Sequence, residues 1–303
     1  MKRFAVVDVG TNSVKFHIGE REDDGSWRTL VDRSEITRLG EGRERTGAIE
    51  PEPLERTVEA IAGMVEQAKQ EGVDEIAAVG TAALRAATNR AAFLDAVRER
   101  IGVTVDVISG EEEARLAYLA ATASLDLVDG PLVVFDSGGG SSQFTFGRKF
   151  HPEEQFSVPL GAVGPTERFA LDGPVSRELL AEALAFVSDG LSDLDGRPAP
   201  DALVAMGGTV TNLAAVKHGL AAYDADVVNG TVLDREEVER QMELFRMRTA
   251  DERREIAGLQ PKRAEVILGG ACITRTVMEK LRRDAVTVSD RGLRHGLLVE
   301  RFG

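Results

Sequence analysis

The pattern of apolar and polar positions repeats itself in the two halves of the chain. An apolar run ending near Asp8, and another ending near Asp136, each leads into a turn of glycine and hydroxyl residues. Alternating apolar positions follow each turn, and this pattern predicts a β-hairpin. After each hairpin, segments with helical periodicity alternate with short apolar strands, which predicts α/β structure in both halves.

The elements predicted after the first hairpin are helices near 54–70 and 82–100, strands near 75–79 and 103–108, and a helix from residue 111. In the second half we predict helices near 177–194, 210–217, 236–247 and 263–282, and strands near 202–206 and 285–288. We therefore expect two domains, 1–122 and 123–303, and leave open whether the last helix packs back on the first. Two such domains predict a quasi-twofold molecule with both turns lining an interdomain cleft.

The two hairpins are also similar in sequence. VVDVGTNSVKFHIG from Val6 aligns without a gap with VFDSGGGSSQFTFG from Val134. The offset is constant at 128 residues, and it matches Asp8 with Asp136, Gly10 with Gly138, Ser13 with Ser141, Phe16 with Phe144, and Gly19 with Gly147. Several matches at one offset favour a duplicated unit over two unrelated hairpins.

Composition and charge exclude several classes of protein. The 303 residues are long enough for two hydrophobic cores, and no segment approaches the roughly 20 apolar residues of a membrane helix. A formal net charge of −14 argues against general nucleic-acid binding. Met1–Val7 enters an apolar strand directly, without the pattern of a secretory signal peptide. We interpret Cys272, the only cysteine, as a packing residue rather than a reactive thiol. We expect a soluble cytoplasmic protein that binds neither membranes nor nucleic-acid polymers.

Each turn has the composition of an anion-binding loop. Glycine permits positive φ and removes the Cβ that would keep a ligand from the backbone, so N–H and hydroxyl groups can converge on phosphate. The candidate phosphate-binding residues are Gly10, Thr11, Asn12, Ser13, Gly138, Gly139, Gly140 and Ser141. Asp8 and Asp136 would repel phosphate directly, so we interpret them as Mg²⁺ ligands or as groups that orient water.

Motifs of other enzyme classes do not occur in the sequence. It has no Walker motif, no G-x-G-x-x-G after a strand and no G-x-S-x-G. Four histidines, namely His17, His151, His218 and His295, are scattered without metal-ligand spacing. Zinc chemistry is therefore not expected.

A candidate general base lies in ISGEEEARLAYLAA, which begins at Ile108. Ser109 and Glu112 have the spacing of a capping box. Glu113 shares a helical face with Leu116 and Ala120 and is predicted to point inward, where an unpaired carboxylate is costly. The residues alone leave two interpretations of Glu113 open, a general base and a first-turn acid favoured by the helix dipole.

Several segments resemble the exopolyphosphatase and guanosine pentaphosphate phosphatase family. They are DVGTNSVKF from Asp8, GTAALRAATN from Gly80, ISGEEEARLAY from Ile108, DSGGGSSQF from Asp136 and SDRGLRHGLL from Ser289, with shorter similarities at Pro159, Met206 and Gly258. The resemblance covers nearly the whole chain in order. It implies an α/β fold of the actin-like ATPase (ribonuclease H-like) type, with two similar domains and the active site in the cleft between them.

The resemblance also implies roles for individual residues. Glu113 matches the family's catalytic base, which deprotonates the attacking water, and Arg85 matches a phosphate-contacting arginine. Asp8 and Asp136 would bind Mg²⁺ or Mn²⁺. Gly208 and Thr209 of MGGTVTN are further phosphate-binding candidates. At the metal position where the family pattern GGGS-[ST]-E has glutamate, this chain has Gln143, so we expect altered metal affinity.

From these features we expect an exopolyphosphatase that removes terminal phosphate from inorganic polyphosphate. Short chains should be preferred, because longer family members have additional C-terminal domains, and we expect a homodimer. One alternative is a guanosine pentaphosphate (pppGpp) 5′-phosphohydrolase using the same groups. Others are a sugar kinase or actin-like ATPase, with the Met206 segment contacting nucleotide, and a non-catalytic sensor of phosphorylated ligands, which Gln143 keeps open.

Overall fold

The computed structural model describes residues 1–23, 25–125, 127, 129–149 and 151–303, with the side chains of all of these except Glu44 and Arg45. The chain forms two compact units. One comprises Met1–Ala120 together with Leu293–Gly303, and the other comprises Ala121–Gly292. The division falls close to the predicted domain boundary, and the C-terminal segment groups with the first unit.

The first unit is built on a five-stranded sheet in the order β3-β2-β1-β4-β5. Its strands are β1 (Lys2–Val9), β2 (Ser13–Arg21), β3 (Trp27–Ile36), β4 (Glu75–Gly80) and β5 (Val105–Val107). Its helices are α1 (Arg43–Thr46), α2 (Pro51–Gln70), α3 (Ala82–Ala86), α4 (Arg90–Ile101) and α5 (Gly110–Ala123), the last of which crosses the division between units. Strands β1 to β3 are antiparallel, whereas β4 and β5 run parallel to β1.

The second unit is built on a six-stranded sheet in the order β10-β11-β9-β6-β7-β8. Its strands are β6 (Pro131–Ser137), β7 (Ser142–Arg148), β8 (His151–Val158), β9 (Ala202–Met206), β10 (Val232–Asp234) and β11 (Ala285–Val288). Its helices are α6 (Val163–Phe169), α7 (Arg177–Gly190), α8 (Gly208–His218), α9 (Ala225–Val228), α10 (Arg235–Arg246), α11 (Ala250–Arg254) and α12 (Ile267–Lys280), with 3₁₀ turns at Ser192–Leu194 and Pro261–Arg263. Helix α13 (Leu293–Phe302) ends the chain.

The two sheets share one topology. The order β8-β7-β6-β9-β11 repeats β3-β2-β1-β4-β5, and β10 adds an antiparallel edge strand. In each unit an antiparallel hairpin is followed by strands parallel to the first strand. This arrangement confirms the predicted α/β fold of the actin-like, ribonuclease H-like type.

The elements that were not predicted include the edge strands β3, β8 and β10 and the short helices α1, α6, α9 and α11. Strand β3 forms the edge of its sheet, and six of its ten residues are exposed. Only a few of its residues pack on the core, namely Trp27, Leu30 and Val31, so the strand lacks the regular alternation of apolar and polar residues that would predict it. The helix predicted over 263–282 begins at Ile267, because the segment before it forms the 3₁₀ turn at Pro261–Arg263.

Each unit has its own hydrophobic core. In the first, α2 packs on the sheet with Val58, Ile61 and Met64 buried. In the second, nearly every residue of α12 is buried, including Cys272. Burial raises the pKa of the Cys272 thiol to about 12, which agrees with a packing role.

A buried arginine ties together several segments of the second core. The Arg253 guanidinium is fully buried. Its Nε donates to the carbonyl of Phe245 at 2.9 Å, and Nη1 donates to those of Leu171 at 2.7 Å and Ala264 at 3.2 Å. Nη2 donates to Gly173 at 3.1 Å. Four backbone carbonyls thus obtain partners from one side chain.

Helix α13 packs on the sheet of the first unit. Leu293, Leu297 and Leu298 form a small core with Phe4 and Val6 of β1. A Cβ on Gly296 would lie 2.1 Å from the carbonyl oxygen of Leu116, so the helix approaches α5 closely.

Among the described residues, no helix is long and apolar enough to span a bilayer.

Candidate phosphate-binding site

The two glycine turns have equivalent backbone hydrogen bonds. In the first unit the Gly10 N–H donates to the Ser13 carbonyl at 3.0 Å, and in the second the Gly138 N–H donates to the Ser141 carbonyl at 2.9 Å. These four residues occupy matching positions of the sequence repeat. The repeat is therefore conserved in backbone geometry as well as in residue type.

A neighbouring loop holds the first turn from behind. The Gly40 N–H donates to the Thr11 carbonyl at 2.9 Å, and the N–H groups of Thr37 and Arg38 donate to the Asn12 carbonyl at 3.1 and 2.9 Å. In a trans peptide the C=O and the following N–H point in opposite directions. The Asn12 N–H therefore points away from the supporting loop.

The second turn is supported in the same way. The N–H groups of Ala162 and Val163 donate to the carbonyls of Gly138 and Gly139, both at 2.9 Å. By the same geometry, the N–H groups of Gly139 and Gly140 point away from the supporting loop. Successive N–H groups that point the same way are the anion-binding arrangement known as a nest.

The glycines of these turns do not adopt positive φ, contrary to our expectation. Neither Gly10 nor Gly138–Gly140 lies in the left-handed region. Close packing explains them better, since a Cβ on Gly10 would be 2.9 Å from the Ser13 carbonyl oxygen. The supporting loop also needs glycine, because a Cβ on Gly161 would lie 2.4 Å from the carbonyl carbon and oxygen of Gly139.

An aspartate stands near the end of the strand before each turn. Asp8 pairs across the hairpin with Lys15, and Asp136 pairs with Gln143 at the equivalent register position. Asp8 is only 3% exposed, and Lys15 Nζ lies 3.6 Å from its Oδ2. Gln143 Nε2 donates to the Ser141 hydroxyl at 2.8 Å, which links this side chain directly to the second turn.

The start of α8 lies beside Asp136. Gly207 has φ 91°, and a Cβ there would lie 2.3 Å from Asp136 Oδ1. A Cβ on Gly208 would lie 2.2 Å from Arg263 Nη2, so the guanidinium packs against this residue. Thr209 is 3% exposed, and its hydroxyl packs against Gly270 of α12. The structure thus brings Gly208 and Thr209 into the same unit as the second turn.

Arg263 was not among the predicted site residues. Burial lowers the pKa of its guanidinium, while the charge of Asp136 acts in the opposite direction. The segment from Gly258 to Ala271 contains Arg263 and resembled the family, but only the fold places it beside Gly208.

The predicted base and the predicted phosphate-contacting arginine form an ion pair. Arg85 lies in the last turn of α3, and its Nη1 donates to Glu113 Oε2 at 2.8 Å and to the Ile108 carbonyl at 3.0 Å. The side chains are 29% and 33% exposed. Glu113 is therefore paired rather than isolated, and it remains accessible to solvent.

At the beginning of α5, Glu112 and Glu113 have different hydrogen-bond partners. The Glu112 N–H donates to the Ser109 hydroxyl at 3.0 Å, as the capping box predicted. The Glu112 carboxylate, however, accepts two hydrogen bonds from Arg115, both at 2.8 Å, instead of closing that box. These bonds lower the pKa of Glu112.

The predicted residues thus form one group in each unit. In the first, the ends of β1 and β4 are adjacent, since Asp8 pairs with Val79 and the Thr81 N–H donates to the Val9 carbonyl at 3.1 Å. Arg85 follows Thr81 by one helical turn. In the second unit, the group consists of Asp136, Gly138–Ser141, Gln143, Gly208 and Thr209, with Arg263 added by the structure.

Comparison with known proteins identifies relatives along the full length of the chain. It is 29% identical to a bifunctional 3-dehydroquinate synthase/phosphatase of Fusobacterium nucleatum, covering 98% of this chain and 46% of that protein, so it spans about half the length of that relative. It is 29% identical to exopolyphosphatase 2 of Mycobacterium tuberculosis, over 100% of this chain and 99% of that protein. It is 30% identical to the guanosine-5′-triphosphate,3′-diphosphate pyrophosphatase of Vibrio campbellii, over 98% of this chain and 59% of that protein.

A solved structure has the same fold throughout. The Ppx/GppA phosphatase of Aquifex aeolicus superposes with a TM-score of 0.89 at 33% identity, and all of both chains is covered. The sequence model of the Ppx/GppA phosphatase family matches residues 19–303. On this evidence, together with the shared topology and the duplicated turns, the chain belongs to the Ppx/GppA phosphatase family.

Proposed function

We propose that this protein is an exopolyphosphatase, which hydrolyses the terminal phosphoanhydride bond of inorganic polyphosphate. The observation that carries the proposal is the duplicated glycine turn, combined with the Arg85–Glu113 ion pair. Each turn presents N–H groups away from its supporting loop, an arrangement that is suited to bind a phosphate unit. Exopolyphosphatase 2 of Mycobacterium tuberculosis matches this chain over its full length.

Glu113 is the proposed general base. It would take a proton from water while the water oxygen attacks the terminal phosphorus and the bond to the leaving phosphate breaks. Arg85 holds one carboxylate oxygen at 2.8 Å, which fixes the orientation of the carboxylate and supplies positive charge beside the reacting phosphate. Phosphoryl transfer depends mainly on such positioning and charge stabilisation.

The residues fit a hard divalent cation such as Mg²⁺ or Mn²⁺. In each unit a strand-end carboxylate, Asp8 or Asp136, lies next to the glycine turn, and Gln143 supplies an amide at the register position facing Asp136. Bound there, the ion would neutralise charge on phosphate oxygens. Asp8 is 3% exposed and already lies 3.6 Å from the Lys15 ammonium, so a metal ion there would compete with Lys15 for the carboxylate.

A second candidate function is hydrolysis of the 5′-phosphate of pppGpp. It is favoured by the 30% identity to the Vibrio campbellii protein. The same turns would hold the triphosphate group, and the same base would activate water.

The proposal also includes a preference for short polyphosphates, a homodimeric state and a cytoplasmic location. Light scattering on the purified protein tests the homodimer.

The deciding experiment measures phosphate release from polyphosphates of defined length and from pppGpp, with Mg²⁺ and with Mn²⁺. We expect phosphate to be released faster from short polyphosphate than from long polyphosphate. Both polyphosphates should be hydrolysed faster than pppGpp. Glu113→Gln should lower kcat by about 10²- to 10⁴-fold, the usual contribution of a general base. Its effect on stability should be below about 1 kcal/mol, because the pair with Arg85 is solvent accessible.

Glu112→Gln is the matched control. It alters a neighbouring glutamate that also binds an arginine, at 2.8 Å, and it should leave kcat unchanged. Full activity of Glu113→Gln would show that Glu113 is not the general base. Faster turnover of pppGpp than of any polyphosphate would transfer the assignment to the second candidate.

A further inference from the structure

A cluster of two histidines and an aspartate lies in the first unit, outside the candidate phosphate site. His17 lies on β2, Asp32 is its neighbour across the β2–β3 pair, and His295 lies in the first turn of α13. Ligand atoms of the three side chains lie within 4.8 Å of one another. Although the sequence places the histidines near opposite ends of the chain, the fold brings them together, which corrects our view that the histidines are scattered.

Both histidines of the cluster are buried, whereas Asp32 is exposed. His17 is 1% exposed and His295 is 7% exposed. Within the described part of the chain, His17 Nδ1 has no hydrogen-bond partner. Its closest charged neighbour is Asp32 Oδ2 at 3.4 Å, beyond the usual range of an N–H···O bond. A buried ring nitrogen without a good partner is costly, and a bound cation would provide that partner.

The distances within the cluster are compatible with a bound metal ion. Asp32 Oδ2 lies 3.4 Å from His17 Nδ1 and 3.2 Å from His295 Nε2. Around a tetrahedral zinc ion, with ligands at about 2.0–2.2 Å, neighbouring ligand atoms are separated by about 3.3–3.6 Å. Two sides of the triangle thus already have nearly this length.

Arg294 shapes the carboxylate at the centre of this cluster. Its Nε and Nη2 each donate to Asp32 at 2.9 Å, one to each oxygen. A carboxylate has about four acceptor positions, so Oδ2 can accept from Arg294 and still bind a cation. Hydrogen bonds of this kind orient metal ligands, although the positive charge of arginine also limits the affinity.

We propose that His17, Asp32 and His295 form a structural binding site for a transition metal of the zinc class, which fastens α13 to the β2–β3 hairpin. Two imidazoles and one carboxylate are the donor set of zinc and its neighbours rather than of Mg²⁺. The three ligands come from β2, β3 and α13, so the metal crosslinks the C-terminal segment to the sheet. The site does not depend on the proposed phosphatase activity.

Equilibrium dialysis and calorimetry with Zn²⁺ on the full chain, after treatment with a chelator, test the proposal. We expect one Zn²⁺ bound per chain, a higher thermal midpoint with Zn²⁺, and slower amide exchange in residues 293–303. Mg²⁺ should cause none of these changes at α13. His295→Asn and Asp32→Asn should each weaken Zn²⁺ binding by at least about 100-fold, more than the 10- to 100-fold typical of losing a supporting hydrogen bond.

His151→Asn is the matched control, because His151 is exposed on β8 in the other unit; it should bind Zn²⁺ as the unaltered chain does. Since a substitution in the cluster could unfold α13, the visible spectrum of the unaltered chain with Co²⁺ provides a test without substitution. Intense absorption of tetrahedral Co²⁺, displaced by Zn²⁺, is expected. Equal Zn²⁺ binding by the unaltered chain and the His17→Asn/His295→Asn variant, or an octahedral Co²⁺ spectrum, would overturn the proposal.

Discussion

Gly161→Ala tests whether the loop behind the second turn controls the geometry of phosphate binding. Ala162 and Val163 hold the carbonyls of Gly138 and Gly139 at 2.9 Å. A Cβ on Gly161 would lie 2.4 Å from the carbonyl carbon and oxygen of Gly139. These are backbone atoms, so no side-chain rotation relieves the contact. The supporting loop and the turn must therefore separate.

The size of the effect follows from this contact. Carbon atoms pack best at about 3.5–4.0 Å, so the backbones must move apart by roughly 1 Å. Overpacking of this kind costs about 1–3 kcal/mol of folding stability. A displacement of about 1 Å at a catalytic site can cost 10²-fold in rate, which corresponds to roughly 2.7 kcal/mol of transition-state stabilisation. We therefore expect Gly161→Ala to lower kcat/KM even under conditions in which the variant remains fully folded.

The assay compares kcat/KM for phosphate release with the urea midpoint of each variant. Gly63→Ala is the matched control, because Gly63 lies within α2 and a Cβ there meets no atom within 4 Å. It should keep full activity and gain about 0.5–1 kcal/mol, as glycine-to-alanine changes inside helices usually do. Unchanged activity of Gly161→Ala, in a folded protein, would refute the role of this loop in positioning the turn.

Three further predictions concern other parts of the molecule. Arg253→Met should destabilise the protein by about 3–5 kcal/mol in urea denaturation, because four backbone carbonyls lose their donor. The same change at the exposed Arg254 should cost less than about 1 kcal/mol. Equal losses of stability in the two variants would contradict this prediction. Since burial raises the pKa of Cys272 to about 12, its thiol should resist iodoacetamide at pH 8 and react only in urea; rapid labelling of the native protein would contradict it. Gln143→Glu should lower the Mg²⁺ concentration needed for half-maximal activity, since it adds a carboxylate facing Asp136; an unchanged titration would show that this position does not affect the metal.

Local pattern was sufficient to predict the framework of the fold. Strands Ala202–Met206 and Ala285–Val288 occur at the predicted bounds. The first is a continuous apolar run, as expected of a buried strand with parallel neighbours. Both hairpins were predicted from the repeat that begins at Val6 and Val134. The third strand of the first sheet was missed, since an exposed edge strand is not encoded by periodicity.

Features that depend on tertiary contacts could not be predicted. The contact of Arg263 with Gly208 joins a 3₁₀ turn to the start of α8, and no spacing in the sequence connects these two positions. His17 and His295 similarly meet only because α13 returns to the first sheet. The ion pair of Arg85 with Glu113 also required the fold, although the family resemblance had named both residues.

The duplicated hairpins have diverged at the position that faces the strand-end aspartate. In the first unit this position is Lys15, whose ammonium lies 3.6 Å from Asp8. In the second unit it is Gln143, which bears no charge and donates to Ser141. A cation beside Asp8 must compete with Lys15, whereas one beside Asp136 meets a neutral strand partner, although Arg263 also interacts with that carboxylate. If both turns bind phosphate, Lys15 makes the first better suited to hold an anion directly, and the second is the better position for a metal ion that neutralises the substrate.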